Sequence, residues 1–166
     1  VERSRGLGDV YKRQDVIGQM QFDLFHVYTV DEHTFKVVRN MRQMLLYKTK
    51  NLEFEHELIN KINKIEILYI AGIFHDLGKG KGGNHSKIGA KMSLNFAKRL
   101  GMSSTDSNLI SWLVEKHLIM SSISQKEDIT DPETIDKFTQ NVGQAERLDY
   151  LYLLTVNDIR ATNPNP

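Results

Sequence analysis

One segment constrains the fold more than any other. Residues 65–77 are apolar almost throughout, and a glycine-rich loop follows them. Hydrophobic side chains occur on nearly every side of a helix drawn through this segment, which places such a helix in the middle of a bundle. The segment is too short to span a bilayer, and Glu66, His75 and Asp76 interrupt it. The sequence therefore predicts several amphipathic helices packed around one buried helix.

The surrounding helices are predicted from apolar spacing and from capping residues. Thr29–Glu32 forms a capping box, so a helix should begin near residue 30. Further helices are expected around residues 54–62, from 86 to 100, after a cap at Asp106, after Asp131-Pro132 and over 145–161. Residues 121–131 are polar and indicate a loop. No segment alternates between apolar and polar residues with a period of two, so the predicted fold class is all-α, a helical bundle.

Two of these helices have a predicted core-facing stripe. The helix after Ser86 carries large apolar residues at a spacing of four, and Gly101 should end it. The short helix before residue 65 carries a similar stripe. The two stripes are Ile88, Met92, Phe96 and Leu100, and Phe54, Leu58 and Ile62.

Composition limits the classes of function. The chain has 166 residues, enough for one domain with a core, and its net charge of +1 indicates no nucleic-acid or membrane partner. It has no cysteine, so any metal site must use nitrogen and oxygen ligands. The absence of cysteine and of a visible signal peptide is compatible with a cytoplasmic location, which we expect.

Four residues are candidates for one metal site: His33, the pair His75-Asp76, and Asp158. His33 shares a helix face with Val37 and Met41, and Asp158 lies on an otherwise apolar face. Unpaired polar groups are costly to bury there, and histidines with carboxylates suit a hydrolytic divalent metal. The alternatives are a satisfied core histidine at His33 and a salt bridge from Asp158 to an arginine.

His85 and His117 are candidates for extending this site. His117 continues an inward face at helical spacing, and His85 begins a helix directly after the glycine loop. We expect both as ligands of a second metal or as phosphate contacts. For His85 the competing interpretation is a surface residue at a helix start.

The glycine loop is a candidate phosphate-binding element. Exposed backbone amides and ammonium groups both favour anions, which would give Lys79, Gly80, Gly82 and Gly83 a role in substrate binding. A surface loop without function has the same composition. His26 precedes the first predicted helix and is expected at the mouth of the pocket. His75, Asp76 and Lys79 are the predicted catalytic residues.

Longer motifs resemble one protein family. The order His33, His75-Asp76, Asp158 resembles the HD metal-dependent phosphohydrolase superfamily. Residues 23–34, 74–86 and 154–163 are similar to the HD domain of bifunctional PII uridylyltransferase/uridylyl-removing enzymes. The resemblance covers residues 17–163. Residues 1–16 do not match and suggest foreign sequence, and residues 164–166 are interpreted as a truncated tail.

This resemblance implies a fold, a cofactor and a reaction. It implies an all-helical HD domain with a divalent ion at its centre, commonly Mn²⁺ or Mg²⁺, in one or two copies. The implied reaction is removal of UMP from a tyrosine of the PII nitrogen-signalling protein, with PII as substrate. It also implies that nucleotide transfer and glutamine sensing belong to domains outside this stretch of sequence.

The chain departs from the family at two positions, and other functions stay open. Asn84 stands where aspartate is usual, and Asn157 where a small apolar residue is usual; both departures spare the candidate ligands. One alternative function is a free-nucleotide phosphohydrolase of the wider superfamily. Another is a non-catalytic helical regulatory module.

Overall fold

The computed structural model describes residues 30–162 and, within them, eight helices and no strand. The all-α prediction is therefore confirmed for the part of the chain that the structure describes. Thr29 and His26 lie outside it. The helices are α1 (Val30–Leu46), α2 (Glu53–Lys61), α3 (Ile65–Phe74), α4 (His85–Arg99), α5 (Ser104–Lys116), α6 (Ile119–Lys126), α7 (Pro132–Val142) and α8 (Ala145–Thr162).

Helix α3 occupies the centre of the bundle, as its composition predicts. It packs against α1, α4, α5 and α8, and most of its residues are buried. The core continues through Val37 and Met41 on α1, and Leu113 on α5. No helix of the described chain combines the length and apolarity that crossing a bilayer needs.

The central helix ends earlier than predicted. It stops at Phe74, and residues 75–80 form turns instead of a continued helix through Leu77. The N–H of Leu77 donates to Phe74 O at 3.2 Å and that of Lys79 to Asp76 O at 2.9 Å, both across three residues. Neighbours on a regular helix point about 100° apart. Tightening the chain here brings His75 and Asp76 toward one centre.

The predicted stripe of helix α4 is only partly confirmed, because Met92 and Phe96 pack against the core while they stay partly exposed. The fully buried residues of this helix are small, whereas Leu100 at the end of the predicted stripe is 58% exposed. The small face allows α4 to approach both α5 and the end of α3 closely. Gly101 follows the helix end, as predicted. The buried face consists of Ser86, Gly89, Ala90, Ser93 and Ala97.

Two further predictions differ from the structure in detail. In α2 the fully buried residue is Ile59, and Leu58 and Ile62 pack partly buried against the core. Phe54 is 63% exposed, and its ring packs edge-on against Tyr152. Helix α5 is capped by Ser103, whose hydroxyl accepts from the backbone N–H of Asp106. Asp106 itself pairs with Lys64.

The predicted loop at 121–131 is wrong for residues 121–126, which belong to helix α6, and confirmed for residues 127–131, which are not helical. The hydroxyls of Ser121 and Ser124 donate to carbonyls three residues earlier, at 3.1 and 3.0 Å. A helix tolerates serines whose hydroxyls form hydrogen bonds with nearby backbone carbonyls. The polarity of the sequence alone does not indicate such bonds. The Asp131-Pro132 start of α7 is as predicted, with Asp131 accepting from the N–H of Glu133 at 3.2 Å.

Gly89 makes the closest approach of α4 to α3, and we predict that Gly89→Ala destabilises the fold. A methyl group there would lie 2.8 Å from the backbone oxygen of Phe74 and 3.0 Å from Val114 Cγ1. Replacing glycine by alanine inside a helix normally stabilises a protein by about 0.5–1 kcal/mol. A loss of stability at this position would therefore be due to the close contact. We expect a loss of about 1–3 kcal/mol in the free energy of unfolding, measured in urea.

The control for this variant is Gly72→Ala. The added methyl group would also be buried in a helix, but it would meet the flexible tip of Met41 at 2.9 Å rather than backbone. A smaller loss is expected for this control. Equal or greater stability of Gly89→Ala than of the parent chain would show that α4 can move away freely.

Candidate metal centre

Five helices deliver six candidate ligands to one place. His33 comes from α1 and Asp158 from α8, while His75 and Asp76 follow the end of α3. His85 is the first residue of α4, and His117 follows the last residue of α5. The side chains of His33, His75, Asp76 and His117 are at most 3% exposed, and that of Asp158 is 16% exposed. The structure thus brings together all six residues that the sequence singled out as ligands.

The first group of potential ligands is His33, His75 and Asp158. His33 Nε2 lies 2.8 Å from Asp158 Oδ1 and 3.3 Å from His75 Nε2. His75 Nε2 lies 3.6 Å from the same oxygen. All three ligand atoms lie within 4.8 Å of one another, close to what one ion at about 2.0–2.2 Å from each requires. This group can hold a divalent ion after small side-chain shifts.

The second group is Asp76, His85 and His117, whose ligand atoms also lie within 4.8 Å of one another. His117 Nε2 lies 3.8 Å from Asp76 Oδ1. The rings of His85 and His117 stand edge to face, with centroids 5.7 Å apart. His117 Nε2 is buried and has no hydrogen-bond partner among the described residues. A buried acceptor nitrogen directed at a carboxylate fits a cation between them.

Asp76 connects the two groups through its two oxygens. Its Oδ2 lies 3.4 Å from His75 Nε2 and 3.8 Å from His33 Nε2, while its Oδ1 faces His117. A carboxylate with one oxygen toward each of the two ligand groups could contribute a ligand atom to both. The two groups offer only nitrogen and oxygen donors, which suit a divalent metal ion.

Two histidines are oriented by the backbone of their own helices. His75 Nδ1 donates to Gly72 O, and His117 Nδ1 donates to Val114 O, each at 2.7 Å. A carbonyl can only accept, so Nδ1 carries the hydrogen and Nε2 faces the centre. Such second contacts fix the tautomer that a metal ligand needs. The sequence does not indicate these carbonyl contacts, although both carbonyls lie three residues before a histidine at a helix end.

The charges of the cluster balance one another. Burial alone would lower the pKa of His75, but the carboxylates of Asp76 and Asp158 outweigh burial and raise this pKa to about 10. Burial would raise the pKa of Asp76, yet the charges of His75 and Lys79 hold it well below its usual range. Burial and the positive charge of His75 lower the pKa of His117 to about 4. At neutral pH these shifts favour a charged His75 and a neutral His117.

Lys79 lies within this cluster as well. Its Nζ is 2.9 Å from Asp76 Oδ2, and its side chain is 21% exposed. The glycine loop connects Lys79 to His85, and Gly80, Gly82 and Gly83 all have positive φ angles between 72° and 82°. These angles are easy for glycine and costly for other residues. Of the predicted phosphate-binding residues, Lys79 thus contacts a candidate ligand, and the glycines lie in the loop between it and His85. The predicted substrate residue His26 lies outside the described residues.

Three polar residues outside the predicted ligand set are His56, Asn84 and Asn157. His56, which was not predicted as a ligand, lies apart from the cluster and binds Met44 O through Nδ1 at 2.7 Å. Asn84 caps α4 by accepting from the N–H of Lys87 at 3.2 Å, a role that aspartate could also fill. Asn157 is buried beside Asp158 and donates to Leu153 O at 2.7 Å.

Comparison with known proteins agrees with this geometry. A family model described as HD domain matches residues 30–153. The bifunctional uridylyltransferase/uridylyl-removing enzyme of Nitrosococcus oceani is 52% identical over 151 residues. Its counterparts in Pseudoalteromonas translucida and Thiobacillus denitrificans are 51% and 50% identical over 154 and 150 residues.

These matches cover 90–92% of the chain but 17–18% of each relative, so the chain spans under a fifth of their length. Asp158 lies beyond the residues that the family model matches, and the structure places it with the histidines that lie inside them. With a family match over 124 residues and relatives about half identical to it, the chain belongs to the HD domain family.

Proposed function

We propose that this chain is a metal-dependent phosphodiesterase that removes UMP from a uridylylated tyrosine of a PII signalling protein. Membership of the HD domain family and the names of its relatives support this proposal. The observation that carries it is the position of Asp76, with one oxygen toward each ligand group. A bridging carboxylate between two histidine-rich groups suits phosphoester hydrolysis better than a structural role does.

The proposed ligands follow from the two groups. His33, His75 and Asp158 would hold one ion together with Asp76 Oδ2, and His85 and His117 would hold a second with Asp76 Oδ1. Mixed imidazole and carboxylate ligands suit Mn²⁺, and Mg²⁺ is the second candidate. When bound, such an ion polarises the phosphoryl oxygens and lowers the pKa of a coordinated water.

The chain's own residues would bind and orient the phosphate. Lys79 is partly exposed at the edge of the cluster and so can reach a phosphoryl oxygen while it neutralises Asp76. The amides of Gly80, Gly82 and Gly83 would supply further hydrogen bonds to the anion. Hydrolysis would break the bond between phosphorus and the tyrosine oxygen. The phenol, with a pKa of about 10, leaves more readily than an alkyl alcohol.

We predict that Asp76→Asn abolishes hydrolysis of uridylylated PII. Loss of the bridging carboxylate weakens both ligand groups at once, so UMP release with Mn²⁺ should fall by at least about 100-fold. Release would be followed by liquid chromatography. The control is Asp106→Asn, which removes a carboxylate paired with Lys64 outside the cluster and should keep activity.

The same assay tests the competing functions. Free nucleoside triphosphates and diphosphates are offered beside uridylylated PII, with and without metal. Hydrolysis of the nucleotides but not of uridylylated PII would assign the chain to the free-nucleotide class. Retained UMP release by Asp76→Asn would remove the basis of the proposal.

We also predict that His117→Ala binds one metal ion fewer than the parent chain. His117 belongs only to the second ligand group, so the first group should keep its ion. Bound manganese would be counted by elemental analysis after gel filtration without chelator. His56→Ala is the matched control, because His56 lies apart from the cluster. Unchanged stoichiometry in His117→Ala would contradict a second ion.

The charge of His75 predicts how metal affinity depends on pH. Its pKa is raised to about 10, so at pH 7–9 an ion must displace one proton from Nε2. Apparent affinity should therefore rise by about tenfold per pH unit in this range. Calorimetry in buffers with different protonation enthalpies would measure the proton released. Binding that releases no proton at pH 7.5 would contradict a charged His75.

A further inference from the structure

The start of α4 lies directly against the turn that follows Asp76. Gly78 is buried in this turn. A methyl group on Gly78 would overlap the carbonyl oxygen of His85 and lie 2.9 Å from its carbonyl carbon and 3.0 Å from its Cα. Backbone atoms cannot swing aside as the tip of a side chain can, so any side chain at position 78 would push the two segments apart. The contact therefore requires glycine at this position.

A second glycine contact lies one helical turn further along α4. Gly89 is four residues after His85 and so lies on the same face of the helix. A methyl group there would lie 2.8 Å from the carbonyl oxygen of Phe74 and 3.8 Å from that of His75. The beginning of α4 thus follows the chain from Phe74 to Gly78 at close backbone distances.

The contact at Gly78 concerns only the second group of potential ligands. This group is Asp76, His85 and His117, and His85 is its member from α4. The loop of residues 79–84 connects His85 to the turn, and its three glycines have positive φ angles. Glycine-rich backbone is flexible, so such a loop restrains His85 only weakly. None of the three residues in the first group belongs to α4.

We propose that Gly78 is a positioning residue, which sets His85 opposite Asp76 and His117 by allowing α4 to begin against the turn. Its effect on metal binding rests on the proposed function. A methyl group at position 78 would require a shift of about 0.5–1 Å to restore ordinary contact distances of about 3.5–4 Å. Metal sites tolerate deviations of only about 0.2 Å in ligand distance. The second group should therefore lose affinity while the first group keeps its geometry.

The variant Gly78→Ala tests this role in the full chain. Bound manganese is counted by elemental analysis over a range of Mn²⁺ concentrations. The first ion should bind as in the parent chain, and the second should bind at least about tenfold more weakly. Unchanged binding of both ions overturns the proposal. Loss of both ions overturns it too, because the first group would then depend on the same contact.

The matched control for this variant is Gly101→Ala. Gly101 follows the other end of α4 with a φ of 78°, and a methyl group there would meet nothing within 4 Å. The substitution therefore strains the backbone without moving the start of α4. Both ions should bind to this control as they do to the parent chain.

A second variant keeps the proposal testable if Gly78→Ala does not fold. Insertion of two glycines between Gly82 and Gly83 lengthens the loop but leaves Gly78 against His85, at a small cost in loop-closure entropy. Because the contact rather than the loop length positions His85, this variant should keep both ions. Loss of the second ion on insertion would overturn the proposal.

A measurement on the metal-free protein separates this proposal from the proposed function. The ring centroids of His85 and His117 are 5.7 Å apart, close enough for a nuclear Overhauser effect between ring protons. This effect should be present in the parent chain and in Gly101→Ala and be lost in Gly78→Ala. A parent chain that shows this pattern but binds no metal would contradict the proposed function alone. An unchanged effect in Gly78→Ala would contradict the positioning role.

Discussion

The site depends on burying two charged neighbours, His75 and Asp76, inside an apolar bundle. An isolated carboxylate in such surroundings would be too costly to remain ionised. Here its cost is offset within a few ångströms by Lys79 at 2.9 Å and by the imidazole of His75 at 3.4 Å. Histidines of α1, α4 and α5 and the carboxylate of α8 meet this pair. The helices that converge on the end of α3 therefore supply polar partners as well as apolar packing.

Helical periodicity was sufficient to predict which residues face this centre. His33 lies on the same helix face as the buried residues Val37 and Met41, and His117 lies on the same face as Leu113. Both histidines therefore turn inward when their helices pack. The pair His75-Asp76 was recognisable because a polar dipeptide ends an otherwise apolar helix. The sequence could not predict that Asp76 directs one oxygen toward each ligand group, because this depends on side-chain orientation and on the path of α4.

The face that α4 buries most deeply also could not be predicted from periodicity. Its large apolar residues and its small residues form two neighbouring stripes, and spacing alone favours the larger ones. Contact with the backbone of Phe74 at Gly89 decides between them, because only a small residue fits against a carbonyl. Helix α6 was missed for a different reason. Its serines satisfy their hydroxyls within the helix, so polarity there does not indicate a loop.

The contact between His33 and Asp158 joins residues 125 positions apart, on the first and last helices described. An ion held by both would act as a cross-link across almost the whole domain. In the chain-entropy model a permanent link over so long a loop restricts the unfolded chain by about 4–5 kcal/mol, and a bound ion acts in the same direction. Metal supply would then control the lifetime of the fold as well as its chemistry. Loss of such an ion would leave the domain more prone to unfold and so to be cleaved by proteases.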